Sequence, residues 1–276
     1  TRGFVADVLA GLADDPKTLP PKYFYDAAGS ELFGAICALE EYYPARTETS
    51  ILKTHANDMA AAIGADAMVI EYGAGSMEKI RILLDALVAP VVFVPVDISK
   101  AHLIAAAKDL RRAYPDLAVQ QVVADFTKPV PLPVPPRPAS RRVAFFPGST
   151  IGNFDPDPTV AFLRSIGDTV GSNGGLLIGI DLQKDEKRLV RAYDDAAGVT
   201  ADFNLNLLTR INRELDGNFV LERFRHVACY DRDLGRIEMH LESLVDQSVR
   251  VAGRTFNFAA GETIHTENSY KYTLAG

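Results

Sequence analysis

From residue 67 onward, short apolar runs alternate with segments of helical periodicity, and this alternation limits the folds open to the chain. The first run, AMVIEY (67–72), precedes a helix-like segment, and VVFVPVD (91–97) begins the same pattern again. Three further apolar runs follow, at 117–126, 143–154 and 174–182. Strands that alternate with helices form parallel sheets, because each helix carries the chain back to the end of the sheet at which it started. We therefore predict an α/β fold with a doubly wound core over about residues 60–182.

The pattern changes on both sides of this core. Residues 185–216 have helical periodicity, whereas residues 220–273 are typical of three antiparallel strands. We expect RIEMHLESLVDQSVRV (236–251) to form one of these strands. The sequence before the core is mostly helical in pattern. The patterns on the two sides of the core together predict a second, α+β lobe assembled from residues 1–59 and 183–276.

Composition narrows the classes of partner. The apolar fraction of 47% and the charged fraction of 24% are those of an ordinary globular protein. A net charge of −7 argues against nucleic acid or an anionic membrane as partner, since both attract basic patches. No apolar run approaches the roughly 18–20 residues that span a bilayer, and the N-terminal segment has acids where a signal peptide is basic. We expect a cytoplasmic monomer that binds a small molecule.

Few residue groups are arranged to hold a metal ion. Cys37 and Cys229 form neither a disulfide framework nor a metal cluster, and we expect both to be buried as small apolar residues. His265 and Glu267 share a face of the last predicted strand, but two alternating ligands without a third make a poor metal site. The sequence therefore predicts no metal.

Glycines and acids follow the first three predicted strands, where an open parallel sheet binds its ligands. Gly73 and Gly75 follow the first strand and would let the backbone approach a ligand closely. Asp97 ends the second strand and could accept hydrogen bonds from ribose hydroxyls, or could cap the helix after it. Asp125 and Phe126 end the third strand. The carboxylate could accept a hydrogen bond from an exocyclic amine, and the ring could pack on a purine. In this order, the residues predict a nucleoside-containing ligand.

The glycine loop departs from the dinucleotide fingerprint. That fingerprint requires a third glycine at position 78, where this chain has Glu78. The two glycines alone are also typical of a tight strand-to-helix turn. The departure counts against NAD and favours a cofactor without a pyrophosphate.

The ordered set of strand-end residues resembles the class I S-adenosylmethionine-dependent methyltransferases, whose core is Rossmann-like. Longer segments make the resemblance more specific: PPKYFYDAAGSELF, EYYPARTE, FFPGSTIGNF, AYDDAAGVTADFN, RIEMHLES and GETIHTENSYKYT. Together they are similar to the family of L-histidine Nα-methyltransferases of ergothioneine biosynthesis. The segments extend from about residue 20 to residue 273.

The resemblance implies S-adenosylmethionine as the cofactor. Lys79 would reach its carboxylate, Asp97 its ribose and Asp125 its adenine. The full implied cofactor set is Gly73, Gly75, Lys79, Asp97, Asp125 and Phe126.

The resemblance also implies a histidine site with two parts, one for the amino-acid end and one for the imidazole. The amino-acid end of histidine and its reacting amine would meet Tyr25, Gly148, Asn153 and Tyr193, of which the first three are the implied catalytic residues. The imidazole would meet Tyr42, Glu267 and Ser269, with Phe33 and Met239 shaping the pocket.

The segment IHTENSYKYT (264–273) offers a physical reason for the imidazole assignment. Glu267 and Ser269 share one face of a strand, because side chains alternate with a period of two. A carboxylate can accept from one ring N–H, and a hydroxyl can donate or accept at the other nitrogen. In isolation, the same two residues are also typical of a solvated strand face.

The implied reaction is three successive methylations of the α-nitrogen of histidine, which end in the trimethylated betaine hercynine. Two alternatives stay open: the same fold acting on another aromatic amino acid such as tryptophan, and a catalytically silent S-adenosylmethionine-binding protein. Glu267 together with Met239 favours the imidazole. Class I methyltransferases usually close their sheet with a further helix and an antiparallel strand pair, and we expect these last strands of the core to be missing from this chain.

Overall fold

In a computed structural model of the protein, residues 2–274 are described. Their helices are α1 (Arg2–Gly11), α2 (Ala27–Ala38), α3 (Tyr43–Ile63), α4 (Glu78–Leu84), α5 (Lys100–Ala113), α6 (Pro156–Val170), α7 (Glu186–Tyr193) and α8 (Val199–Leu215). Their strands are β1 (Lys17–Thr18), β2 (Ala67–Tyr72), β3 (Val92–Asp97), β4 (Ala118–Val119), β5 (Val122–Val123), β6 (Arg141–Phe146), β7 (Gly175–Ile178), β8 (Phe224–Asp231), β9 (Arg236–Ser243), β10 (Gln247–Val251), β11 (Arg254–Phe258) and β12 (Thr263–Tyr270). The predicted α/β class is confirmed.

The chain forms two compact units. The parallel-sheet unit is Pro44–Ile180, and the two-segment unit is Thr1–Tyr43 together with Asp181–Gly276. The sequence-based boundary at 59/60 falls inside α3, which runs without a break from Tyr43 to Ile63. Among the helices of residues 2–274, none combines the length and the hydropathy needed to cross a bilayer.

The parallel-sheet unit has the strand order β4-β3-β2-β6-β7, and β5 also pairs with β3. Every pairing in this sheet is parallel. The chain moves outward from β2 through β3 to β4 and β5, then returns to β6 on the other side of β2 and continues to β7. The order reverses at β2 and β6, and this switch point is where doubly wound sheets bind ligands.

Helices cover both faces of this sheet, which explains why β2 is buried along its whole length. On one face, Val69 and Phe93 pack in a core cluster with Leu103 of α5. On the other face, the ring of Phe146 lies 4.9 Å from that of Phe162 in α6, measured between centroids. Layers of this kind hold the carboxyl ends of the strands in fixed positions.

The third predicted strand, 117–126, is shorter and more irregular than expected. It forms two strands of two residues each, β4 and β5, and both pair with β3. The backbone N–H of Gln120 still bonds to the oxygen of Phe93 (3.0 Å), so the segment stays attached to β3 where it leaves regular geometry.

The two-segment unit contains a sheet of order β1-β12-β9-β8 and a separate hairpin, β10-β11. The prediction that 236–251 forms one strand is wrong, because the chain turns after Ser243 and β10 pairs with β11 instead. Ala252 and Gly253 form the hairpin turn with φ values of 47° and 79°, the left-handed conformation that tight hairpins need. The alternating Val249, Val251, Phe256 and Phe258 of the hairpin join the core of this unit.

A shift of register interrupts the pairing of β12 with β9 between His265 and Glu267. His265 lies opposite His240, whereas Glu267 lies opposite Met239, so two steps along β12 correspond to one along β9. An extra residue of this kind reverses the face to which later side chains point. The prediction that His265 and Glu267 share a face is therefore wrong, and Glu267 lies on the face of the buried Met239.

Candidate active site

The loop after β2 has a conformation that favours glycine. Gly73 and Gly75 have φ values of 71° and 45°, in the left-handed region. The N–H groups of Gly73 and Ala74 bond to the oxygen of Val96 at 2.9 and 3.2 Å. A Cβ atom on Gly73 would lie 3.6 Å from the ring of Phe126. At Gly73 the backbone of this loop therefore lies next to the ring of Phe126, with no side chain between them.

Asp97 connects the loops that follow β2 and β3. One carboxylate oxygen accepts from the N–H of Gly75 (3.3 Å) and the other from the N–H of Ser99 (2.7 Å). Ser99 precedes α5, but its side chain makes no capping hydrogen bond. A carboxylate has about four lone-pair sites, so Asp97 can accept further hydrogen bonds from a ligand while it organises the two loops.

Phe126 is held rigidly by neighbouring rings. It makes edge or tilted contacts with four aromatic side chains, Tyr72, Phe146, Phe154 and Phe162. Asp125, beside it, accepts from both the N–H (3.1 Å) and the hydroxyl (2.5 Å) of Thr127, which stabilises the turn. The sheet unit thus brings Phe126 to the glycine loop, with Asp125 as its neighbour in the chain.

Lys79 forms an ion pair with Glu48, a residue that the sequence analysis did not single out. Both oxygens of Glu48 also accept from the N–H of Gly148, at 2.7 and 2.9 Å. Gly179 makes room for this carboxylate, because a Cβ atom there would lie 1.9 Å from Glu48 Oε1. The predicted partner of a ligand carboxylate, Lys79, thus has a carboxylate of the chain itself as its partner in this structure.

Glu71 adds a buried acid to this region. Its side chain is 2% exposed, and its Oε2 has no hydrogen-bond partner among residues 2–274. Burial raises the pKa of Glu71 well above its usual value; the charge of Lys79 opposes that rise, while Asp97 and Glu48 add to it. Glu71 therefore lies near one basic side chain, Lys79, and two acidic ones, Asp97 and Glu48.

Gly179→Ala is expected to destabilise the protein by about 1–3 kcal/mol, because the new methyl group would overlap the Glu48 carboxylate. The measurement is urea unfolding of the single variants Gly179→Ala and Glu48→Ala and of the double variant. In the Glu48→Ala background the added methyl group should cost much less. An equal cost in both backgrounds would mean that the two residues do not interact.

In the two-segment unit, four predicted substrate residues form a chain of aromatic contacts. Ring centroids lie 5.6 Å apart for Tyr25 and Phe33, 6.2 Å for Phe33 and Tyr42, and 5.9 Å for Tyr42 and Tyr193. Asp26 caps α2 by accepting from the N–H of Gly29 (2.8 Å), which orients the helix that carries Phe33. The structure brings these four side chains together as one aromatic wall.

Polar groups of β12 adjoin this wall. The hydroxyl of Ser269 lies 2.8 Å from that of Tyr193. Burial raises the pKa of Tyr42 well above its usual value, and nearby Tyr193, Cys37, Tyr25 and Glu267 raise it further. Glu267 and Ser269 lie opposite Met239 and Ile237, so both point to the buried face of the sheet. An acid and a hydroxyl beside aromatic rings form a site suited to a polar, planar ring.

Lys271 is a second residue that the sequence analysis missed. Its side chain is fully buried, and its ammonium group donates to Tyr193 (2.8 Å) and Ser269 (2.9 Å) and pairs with Asp181 (3.2 Å). Burial lowers the pKa of Lys271, but Tyr193 and Asp181 outweigh burial and raise it above its usual value. Position 271 continues the period-two pattern of Glu267 and Ser269, which was the available signal.

Gly148 and Asn153, which the sequence analysis grouped with tyrosines of the other lobe, belong to the parallel-sheet unit. They follow β6, and Asn153 ends the short 3-10 helix Thr150–Asn153. Gly148 has a φ of 83°, which a larger residue would adopt only with strain.

A third group of side chains could hold a metal ion. Cys229, Glu238 and His240 offer ligand atoms that all lie within 4.8 Å of one another. Glu238 is already engaged by Arg236 and by Nε2 of His240 (3.0 Å). The expectation that both cysteines are buried is wrong, because Cys229 is exposed on β8 and Cys37 is only half-buried.

Comparison with known proteins places the chain in a family. Residues 4–276 match the family described as histidine-specific methyltransferase, SAM-dependent, where SAM is S-adenosylmethionine. The histidine N-alpha-methyltransferase of Mycolicibacterium smegmatis is 47% identical, and the alignment covers 96% of this chain and 83% of that protein.

Two further relatives agree with that match. The histidine N-alpha-methyltransferase of Mycobacterium tuberculosis is 45% identical over 96% of this chain and 83% of its own length. Ergothioneine biosynthesis protein 1 of Neurospora crassa is 30% identical over 94% of this chain but only 30% of its own length. The family match spans nearly the whole chain, so the resemblance identified from the sequence is confirmed: the protein belongs to the histidine-specific, S-adenosylmethionine-dependent methyltransferases.

Proposed function

We propose that the protein transfers methyl groups from S-adenosylmethionine to the α-amino nitrogen of L-histidine, three times in succession, and so makes hercynine for ergothioneine biosynthesis. The observation that carries the proposal is the polar wall of Glu267 and Ser269 beside the rings of Tyr42 and Tyr193. It matches a substrate with a planar ring and two ring nitrogens, and the family membership supports it.

The residues of the parallel-sheet unit fit the methyl donor. S-adenosylmethionine bears a sulfonium and an ammonium against a single carboxylate, so its net charge is positive, and the carboxylate of Asp97 would balance that charge. We assign its ribose to Asp97 and its adenine to Asp125 and Phe126. The bare backbone at Gly73 and Gly75 would allow close approach. Lys79 would pair with the carboxylate of the donor and share its charge with Glu48.

The residues of the two-segment unit fit the histidine ring. Glu267 would accept from one ring N–H and Ser269 would bond to the other nitrogen, with Tyr42, Phe33 and Met239 enclosing the ring. A buried polar wall of this kind rejects rings without nitrogens, because its own polar groups would be left unpaired. The same argument favours histidine over tryptophan, whose indole has a single N–H.

For the amino-acid end of the substrate we assign Tyr25, Tyr193, Asn153 and Gly148, the residues that the family resemblance implies. The donor supplies an electrophilic methyl carbon on a sulfonium, and only the neutral amine has the lone pair to attack it. The chain's task is then chiefly to hold the nitrogen in line with the bond that breaks. The site would also have to accommodate a nitrogen that gains methyl groups and ends as a permanent cation.

Mass spectrometry of reactions with each free amino acid tests the proposal. Histidine should gain about 14, 28 and then 42 mass units, because each transfer replaces a hydrogen by a methyl group. A gain on tryptophan instead would keep the donor site and contradict the imidazole assignment. If S-adenosylmethionine binds but no amino acid gains mass, the protein is a binding protein and not an enzyme of this reaction.

A further inference from the structure

Lys271 uses all of its hydrogen-bonding capacity inside the two-segment unit. An ammonium group has three donors and no acceptor, and the three partners here are Tyr193, Ser269 and Asp181. The direction of these bonds is therefore certain: Lys271 donates, and the hydroxyl oxygens of Tyr193 and Ser269 accept. Asp181 balances the charge, with Tyr43 and Lys184 as its further partners.

The bond between the two hydroxyls then has a preferred direction. A phenolic O–H is more acidic than an alkyl hydroxyl, so Tyr193 is the better donor and Ser269 the better acceptor. With Tyr193 donating, the oxygen of Ser269 accepts from both Tyr193 (2.8 Å) and Lys271 (2.9 Å). A hydroxyl oxygen has two lone pairs, and both are occupied. Among residues 2–274, the proton of Ser269 has no other partner, so Ser269 can only donate to a ligand.

We propose that Lys271 is a positioning residue that fixes Ser269 as a donor, so that the site accepts the neutral imidazole of histidine and rejects the imidazolium. The inference rests on the proposed function, since it takes histidine as the ligand of Glu267 and Ser269. Neutral imidazole offers one N–H and one bare nitrogen, which match an acceptor, Glu267, and a donor, Ser269. Imidazolium offers two N–H groups, and one of them would meet the proton of Ser269.

Several titratable groups surround Glu267 and Ser269, and each could contribute to the pH dependence of histidine binding. Glu267 and Tyr42 are the residues proposed to meet the ring, and Glu267, Tyr25 and Cys37 lie near Tyr42. Asp181, Tyr43 and Lys184 lie behind Lys271, and Nε2 of His226 is 2.8 Å from the backbone oxygen of Tyr193. The experiment must therefore separate titration of the substrate ring from titration of the protein.

Calorimetric titration without a methyl donor, from about pH 5.5 to about pH 8, makes this separation. Free imidazole side chains titrate near pKa ~6.5, so histidine affinity should fall by up to about tenfold per pH unit below that value. The control ligand is 1,2,4-triazolylalanine, which has an N–H and bare nitrogens but stays neutral over this range. Its affinity should stay nearly constant, because only the substrate ring is taken to titrate.

Two variants test whether Lys271 is responsible. Lys271→Met removes one donor from Ser269 and frees a lone pair, so the fall in histidine affinity at low pH should become several-fold shallower. Tyr193→Phe frees the other lone pair and should act in the same direction, which keeps the test decisive if Lys271→Met does not fold. The matched control is Lys184→Met, which removes the other cation from Asp181 without touching Ser269 and should keep the wild-type slope.

The outcomes are distinguishable. A uniform loss of affinity at every pH in both variants would show a structural role only and overturn the inference. Histidine affinity that is constant, or that rises, toward low pH in the wild type would overturn it as well, although methyl transfer to histidine would still support the proposed function. A wild-type protein that neither binds nor methylates histidine would overturn the proposed function itself.

Discussion

Glu267→Ala is expected to lower kcat/KM for histidine by about 10- to 100-fold or more while it leaves the dissociation constant of S-adenosylmethionine within about twofold. The reason is that a charge-assisted hydrogen bond to a buried ring is lost and its N–H is left unpaired, which costs about 1.5–3 kcal/mol or more. Glu267 is assigned to the histidine ring and not to the methyl donor, so the proposed contacts of the donor stay in place in this variant. Steady-state kinetics and donor titration measure the two effects.

The matched variant for this test is Glu267→Gln, which has nearly the same shape and retains an acceptor oxygen without the charge. Its loss should be smaller than that of Glu267→Ala, because the ring N–H still finds a partner. Equal losses of histidine and donor affinity in Glu267→Ala would contradict the proposed division between the two sites.

Asp97→Ala should weaken the binding of S-adenosylmethionine and leave the binding of histidine nearly unchanged. We expect the dissociation constant of S-adenosylmethionine to rise about 10- to 100-fold, since each hydrogen bond from a ribose hydroxyl to a charged acceptor contributes about 1.5–3 kcal/mol. The carboxylate also holds the N–H groups of Gly75 and Ser99, so part of the loss would come from a less ordered glycine loop. Histidine affinity measured without donor should remain within about twofold.

The control for Asp97→Ala is Asp116→Ala, which removes the same charge from an exposed position of the same unit. It should leave donor affinity unchanged, because exposed charges interact weakly in salt solution. If Asp97→Ala bound the donor as tightly as Asp116→Ala, the ribose assignment would be wrong. Thermal unfolding of both variants would show whether the loop, rather than the ligand contact, accounts for a loss.

Local sequence patterns predicted the central part of the fold well. The apolar run at 67–72 coincides with β2, and the run at 91–97 contains β3. Such runs are reliable because a parallel strand that is buried on both faces leaves little choice of residue. The long strand expected at 236–251 was wrong, because composition alone does not show where a strand changes its partner from β12 to β11.

The residues of the candidate site likewise include some that the sequence predicted and some that it did not. The glycines, Asp97 and Phe126 could be found because they follow strands, and parallel strands bring their carboxyl ends to one edge of the sheet. Lys271 and Glu48 were missed, although one continues the alternation of β12 and the other lies in a quoted segment. No local pattern distinguishes a lysine that will be buried from one that will be solvated, since burial depends on which distant groups can pair with it.

By itself, the sequence determined the order of strands and helices, the residues at the strand ends, and the period that gives Glu267 and Ser269 a common face. Only the tertiary structure decided where that face lies, because a register shift in β12 reverses the alternation just before Glu267. It also decided the partners of the buried charges, which are 78 residues apart for Lys271 and Tyr193 and 100 residues apart for Glu48 and Gly148. Periodicity specifies the direction of a side chain relative to its neighbours in the chain, whereas the pairing of buried charges depends on which distant segments pack together.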